Sequence, residues 1–224
     1  MDLINQIDNL TRHTRRREFE DGLMDYVLAL TFLFLGALCG FIFSPVGMRW
    51  VATQLLRNRE ATIIAEIGFF ALLILILFGA RQLIARIRRN TLWKNSGFVK
   101  SLRWQVSRRV NFLASAVLVA MLIIAFALMR GGMVSGDFVL RTLVSAAGIA
   151  SGIVLFGVGR ELELGRYRWV GIIGGLSSAL IILLPLSFSA AWLTLGIGWT
   201  VIFTVSGTWA LRKSIAALGD ADSD

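Results

Sequence analysis

The sequence predicts an all-α fold: a polytopic integral membrane protein with six transmembrane helices and an N-terminal amphipathic helix at the membrane interface. Hydrophobic residues make up 56% of the 224 residues, and charged residues make up 17%, below the roughly 25% of soluble domains. The apolar residues form six long runs that carry almost no charge, and Lys and Arg are distributed unevenly between them. These observations argue against a soluble enzyme, a nucleic-acid-binding domain and a disordered chain.

Each of the six apolar runs is long enough to cross a bilayer. A helix needs about 20 apolar residues for this, because its backbone must satisfy its hydrogen bonds internally. The first run stops at Ser44-Pro45. We expect it to stay in the membrane, because its apolar region is too long for a signal peptide and acidic residues precede it. The predicted spans cover residues 24–43, 61–80, 110–129, 139–158, 169–187 and 192–211.

Only a short segment separates the fifth span from the sixth. Pro185 lies near the end of the fifth span, where a helix that is about to stop tolerates proline. We interpret the two spans as a tight hairpin of two full crossings, with a re-entrant pair as the alternative.

The distribution of Lys and Arg predicts the orientation. With six spans, 18 of the 23 basic residues fall on one side of the membrane. Because basic residues near span ends stay in the cytoplasm, both termini are expected there, most simply at a bacterial cytoplasmic membrane. The chain then divides into a charged N-terminal segment (1–23), spans one and two (24–80), a basic cytoplasmic loop (81–109), spans three to six (110–211) and a cytoplasmic tail (212–224).

Pairs of glycines spaced four residues apart predict where the helices pack. Lipid tails are as apolar as leucine, so transmembrane helices associate through small residues that let their backbones approach. Packing within the chain is the simpler interpretation, and a homodimer contact at span one or five is the alternative. The pairs are Gly36 and Gly40, Gly148 and Gly152, and Gly171 and Gly175.

Acidic residues lead into span one. Residues 3–17 predict a short amphipathic helix, and Glu18, Asp21 and Asp25 follow it on one face. They indicate either a solvated helix or a cation or partner site at the cytoplasmic mouth, with Asp25 the deepest carboxylate. The pattern R-E-x-E-x-G at 17–22 returns at 160–165, where it contains Glu161 and Glu163. Both copies precede a span that runs outward, which weakly suggests a repeated unit.

The loop at 81–109 carries nine basic residues and no acidic one. Topology alone accounts for the sign of this charge. The loop is longer than a connector needs, so we expect one or two basic interfacial helices that contact anionic headgroups or an acidic protein partner. Nucleic acid is not expected as a partner. The residues proposed for lipid or partner contact are Arg86, Arg88, Arg89, Lys94, Lys100 and Arg103.

Glu66 and Arg141 lie just inside spans two and four, near the predicted outer surface. Ionisable groups in membranes are candidates for function, although a shallow carboxylate can also reach water. We expect the two side chains to form a pair. An interfacial role is favoured over a proton or substrate site.

The sequence contains no recognisable catalytic, metal-binding or cofactor-binding pattern. The chain has one histidine (His13) and one cysteine (Cys39), and the predicted spans contain no pair of deep aspartates and no P-loop. We therefore expect no enzyme activity, no metal and no cofactor. A lipid-modifying enzyme that uses the cytoplasmic carboxylates is a weaker third possibility.

Two functions fit the sequence best. The first is a partner-binding, scaffolding or regulatory membrane subunit that works through its cytoplasmic face, where the charge is concentrated. The alternative is a small transporter or substrate-binding subunit for an apolar or amphiphilic solute, suggested by glycines in spans four and five and by small polar residues in spans five and six. Those polar residues are Ser177, Ser178, Thr200, Thr204 and Ser206.

Overall fold

The computed structural model describes residues 16, 18–57, 60, 67–68, 71, 78–80, 82–88, 90 and 107–221. Within these residues the chain is helical and has no strand, which confirms the all-α fold. The six long helices of the described part are α1 (Leu23–Ile42), α2 (Pro45–Arg57), α3 (Arg108–Arg130), α4 (Gly136–Glu161), α5 (Gly165–Leu183) and α6 (Phe188–Ala221).

Four helices in the described part are long and apolar enough to cross a membrane. They are α1, α3, α4 and the part of α6 that covers Phe188–Ala216. This finding supports the membrane interpretation at the level of four spans. Helix α5 occupies the position of the predicted fifth span, but Arg166, Arg168 and its glycines lower its hydropathy. Most of 61–80 and all of 3–17 lie outside the described residues, so the second span and the amphipathic helix stay predictions.

The ends of the helices follow from local chemistry. Gly22 has a φ of 76°, which separates the short helical segment before it from α1. Ser107 and Ser135 cap α3 and α4, since their side chains accept hydrogen bonds from the backbone N–H groups of Arg109 and Phe138. Each cap satisfies one of the backbone donors that a helix start leaves without an intrahelical partner.

Helix α2 was not expected from the sequence, which predicted only the end of a span at Ser44-Pro45. In the structure the same two residues also start a helix. Pro45 takes the first helical position, where its missing N–H costs no hydrogen bond. The hydroxyl of Ser44 accepts from the backbone N–H of Gly47 at 3.0 Å. The Ser-Pro pair therefore ends α1 and begins α2.

The most extensive helix contacts are those of α1 with α6 and of α4 with α5, and α3 packs against α4. Contacts of α6 with α4 and α5 join these pairs, and the choice between two full crossings and a re-entrant pair stays a prediction. Aromatic rings fill the junction between the pairs. Trp199 stacks on Phe32 and Phe203, with ring centroids 5.0 and 5.5 Å apart, and Tyr167 is fully buried nearby.

The glycines that the sequence singled out lie at these helix contacts. A Cβ atom on Gly152 would lie 2.6 Å from the carbonyl oxygen of Gly171 and 2.9 Å from Cα of Gly175. A Cβ on Gly36 would lie 2.6 Å from Cα of Gly196 in α6. Gly40 faces Leu193 of α6, and Gly148 faces Ser178 of α5. These faces of α1, α4 and α5 contact other helices of the same chain.

We expect Gly152→Ala to lower the free energy of unfolding in mild detergent by about 1–3 kcal/mol, as overpacking of a close contact does. The added methyl group would force α4 away from α5. Gly198→Ala is the matched control, because a Cβ there meets no atom within 4 Å. Equal unfolding free energies for the two variants would contradict the close approach of α4 and α5.

Candidate functional site

A cluster of buried polar residues lies at the end of the bundle where α1, α3 and α5 begin and α4 ends. We call this end the basic end. Asp25 lies in the first turn of α1, whereas Asp21 lies before the break at Gly22, so the single helical face predicted for Glu18, Asp21 and Asp25 does not continue across that break. The cluster, called the polar junction below, consists of Asp21, Asp25, Arg88, Arg166, Tyr167 and Ser206.

Asp25 is the centre of the polar junction and is fully buried. Its Oδ2 atom accepts hydrogen bonds from Nη1 of Arg166 at 2.9 Å and from the hydroxyl of Ser206 at 2.7 Å. Its Oδ1 atom accepts from the hydroxyl of Tyr167. Burial of a carboxylate is costly unless a cation and hydrogen-bond donors compensate it, and here both oxygens have such partners.

Arg166 joins Asp25 to two further parts of the chain. Its Nη1 atom also donates to the backbone carbonyl of Ser206 at 3.1 Å, and its Nη2 atom donates to that of Phe19. Its guanidinium carbon lies 5.0 Å from the centroid of the Tyr167 ring, and the Phe19 ring meets that ring edge-on at 5.4 Å. One arginine on α5 thus holds the segment before α1, α1 itself and α6.

A second buried ion pair ties the basic loop to the start of α1. Nε and Nη2 of Arg88 donate to the two carboxylate oxygens of Asp21 at 2.5 and 2.9 Å. The same guanidinium also donates to the backbone carbonyl of Glu18. Asp21 Oδ1 in turn accepts from the backbone N–H of Leu23 at 3.0 Å. This pair fixes the segment around Arg88 against the N-terminal end of α1.

The two R-E-x-E-x-G segments meet beside the polar junction. Arg16 lies 2.7 Å from the carboxylate of Glu20 and 3.7 Å from that of Glu163. Each segment contains a residue of positive φ between two helices, Gly22 at 76° and Glu163 at 56°. The two breaks between helices therefore fall at different positions of the pattern, the sixth residue in the first copy and the fourth in the second.

The remaining predicted acidic and basic residues lie apart from this centre. Glu161 accepts from the backbone N–H of Ser107 at 3.1 Å, which joins the end of α4 to the start of α3. Arg141 lies towards the opposite end, where it donates to the carbonyls of Leu184 and Asp137. Arg86 is exposed at the basic end. The residues outside the described ones are Glu66, Arg89, Lys94, Lys100 and Arg103, so the predicted pair of Glu66 and Arg141 is untested.

Arg88 differs from its expected role. The sequence placed it among the residues that contact lipid or a partner, but in the structure only 9% of its side chain is exposed. Its guanidinium is directed to Asp21 and Glu18 instead. The buried ion pair with Asp21, rather than contact with the bilayer surface, therefore accounts for the position of the Arg88 side chain.

Sequence reasoning identified Asp25 but missed the three residues that hold it. Arg166 was counted only as a loop charge that sets topology, and Tyr167 and the position of Ser206 opposite Asp25 were not foreseen. One signal was available. A carboxylate at the start of a span requires a partner, and Arg166 lies just before another predicted span on the same predicted side.

We expect the Asp25–Arg166 pair to dominate the stability of the basic end. Removal of one partner from a buried ion pair leaves an uncompensated charge and costs about 3–5 kcal/mol. Asp25→Ala and Arg166→Ala should each lower the free energy of unfolding by that amount. The double variant should lose clearly less than the sum, because neither charge then remains buried alone.

The control for this cycle is the ion pair of Arg16 and Glu20, whose side chains are 38% and 44% exposed. Pairs of this kind contribute about 0–1 kcal/mol, so Arg16→Ala and Glu20→Ala should have small effects. The geometry of the polar junction would be contradicted if the losses for Asp25 and Arg166 were additive and no larger than those of the control pair.

Comparisons with models of protein families, with curated proteins and with solved structures found no match for this chain.

Proposed function

We propose that this chain is a multi-pass membrane subunit without a catalytic site, which binds or regulates a partner through its basic end, the predicted cytoplasmic face. The observation that carries the proposal is the polar junction. Two buried ion pairs hold α1, α5, α6 and the segment around Arg88 together at this end. These ion pairs hold the basic end in one arrangement, and a preorganised surface loses less free energy when it binds a partner.

Exposed cations surround the polar junction. They come from the segment after the predicted second span and from four helix ends that meet there. A surface with several exposed cations attracts acidic segments of other proteins and orients them before contact. The exposed residues of this group are Arg86, Arg108, Arg109, Arg160, Arg168 and Arg212.

Polar groups further from the basic end form hydrogen bonds with other groups of the bundle. The hydroxyl of Ser178 accepts from the indole N–H of Trp199 at 3.1 Å and donates to the carbonyl of Gly174 at 2.7 Å. Ser145 donates to the carbonyl of Ser178 at 2.8 Å. Because these groups are satisfied within the chain and tightly packed, they favour a structural role over the binding of a transported solute.

The packing at the basic end also weighs against Asp21 and Asp25 as catalytic groups. Asp21 and Asp25 accept hydrogen bonds from arginines inside the protein, and both are buried. A general base must be within reach of a substrate proton. The arrangement therefore supports a role for these residues in holding the basic end together.

A photo-crosslinking amino acid placed at exposed positions tests the proposal. In native membranes, a benzophenone side chain at Arg109 or Arg168 should give a discrete adduct with a partner protein. The same group at Met133, which is exposed at the opposite end, is the control and should give none. Adducts of equal yield at both ends, or no adduct at the basic end, would contradict a partner surface there.

Cysteine accessibility separates this proposal from a transporter. In a Cys39→Ser background, Ser178→Cys should resist a membrane-impermeant maleimide, because Ser178 is 1% exposed. Arg212→Cys, at an exposed position at the basic end of α6, should react readily. Reaction at position 178 in the intact protein would instead reveal a water-filled path and support transport.

A further inference from the structure

A cleft of about 520 Å³ opens next to the polar junction, between the start of α5 and the last turns of the span in α6. It is wide enough for a small polar group and is open to the surroundings. Charged side chains line it from the N-terminal segment, from the turn before α5 and from α6. The charged and aromatic residues of the cleft are Arg16, Glu20, Glu163, Arg166, Trp209 and Lys213.

The charges of the cleft nearly cancel. Arg166 is 2.9 Å from the buried Asp25, so its charge is balanced from inside the protein. Arg16 lies between the two carboxylates, 2.7 Å from that of Glu20 and 3.7 Å from that of Glu163, and Lys213 adds a cation from α6. The side chains of these carboxylates are 44% and 59% exposed, so they remain accessible from the cleft. A group that carries one charge of each sign complements this lining better than an anion does.

An apolar stripe on α6 leads from the membrane into the cleft. Ile197, Val201 and Val205 are spaced four residues apart, and each is at least 55% exposed. Trp209 and Lys213 continue the same spacing, with Trp209 59% exposed. From Ile197 to Trp209 the helix rises by about 18 Å, which is close to the thickness of one leaflet of the hydrocarbon core.

The residues at the end of this stripe are of the types that occur at the level of the lipid headgroups. Tryptophan is enriched at membrane interfaces, where its ring is buried and its N–H reaches polar groups. The ammonium of Lys213 lies 5.7 Å from the centroid of the Trp209 ring. A cation is thus held next to the aromatic residue, at the point where a lipid phosphate would follow its acyl chain.

We propose that this cleft binds one phospholipid with a zwitterionic headgroup that ends in a primary amine, of the phosphatidylethanolamine class. The phosphate lies between Lys213 and Arg16, the ammonium donates to Glu20 and Glu163, and one acyl chain follows the stripe on α6. A primary ammonium has three N–H donors for carboxylates, whereas the quaternary ammonium of choline has none. The proposal does not depend on the partner proposed above.

Quenching of Trp209 fluorescence by brominated lipids tests this site. The protein is reconstituted in vesicles that contain a small fraction of brominated phosphatidylethanolamine, phosphatidylcholine or phosphatidylglycerol. The Trp209 signal is the difference between the native chain and Trp209→Phe. One exposed ion pair adds up to about 1 kcal/mol, or about fivefold in affinity, so brominated phosphatidylethanolamine should quench this signal with about fivefold higher affinity than the other two.

Charge variants make the test specific. In Glu20→Gln/Glu163→Gln the cleft keeps its cations and loses its carboxylates, so the preference should move to phosphatidylglycerol. Lys213→Gln should weaken quenching by phosphatidylethanolamine and phosphatidylglycerol alike. Arg212→Gln, an exposed neighbour that does not line the cleft, should leave the preference of the native chain unchanged.

Three results would overturn the proposal. Equal quenching by all three lipids in the native chain would mean that Trp209 meets only bulk lipid. A preference for phosphatidylglycerol in the native chain would mean an anion site. Retention of the phosphatidylethanolamine preference in the doubly substituted chain, with its helical circular dichroism intact, would remove the role of the carboxylates.

Discussion

The buried contact of Asp25 with Arg166 is the constraint on which the basic end depends. A carboxylate inside a helical bundle has a large desolvation cost, and only a nearby cation with additional hydrogen-bond donors offsets it. Arg166, Tyr167 and Ser206 supply these from two other helices. Because the geometry of all three must be met together, α1, α5 and α6 have one arrangement at this end. A bundle held by apolar packing alone would allow its helices to shift more easily along one another.

The close approach of glycines makes these polar contacts possible. Gly36 and Gly196 let α1 and α6 come together, and Gly152 does the same for α4 and α5. At the basic end Gly22 lies against Gly207, one residue after Ser206. A larger side chain at these positions would move the helix axes apart and lengthen the hydrogen bonds to Asp25. Small residues and ion pairs therefore contribute to the same arrangement, the first by allowing contact and the second by orienting it.

The sequence predicted the all-α fold and most helix positions because these depend on local patterns. Runs of apolar residues can be recognised without knowledge of the partner helices. The side-chain contacts between distant segments could not be predicted in this way, because residues such as Asp21 and Arg88 are separated by 67 positions and no local pattern connects them. Arg88 resembles the other arginines of its loop until a carboxylate is found beside it. Helix α2 was missed because Ser44-Pro45 was interpreted only as the end of a span.

The residues of the polar junction are far apart in the sequence. This separation has a consequence for the order in which their contacts form during synthesis of the chain. Asp25 precedes Arg166 by 141 residues and Ser206 by 181 residues. At a synthesis rate of about 5–20 residues per second, the first helix waits on the order of ten seconds or more before its counter-ion leaves the ribosome. During that interval the carboxylate of Asp25, in the first turn of its helix, has none of these partners, and burial without them would be costly. The contacts that fix the start of α1 can therefore form only late, after α5 and α6 have been synthesised.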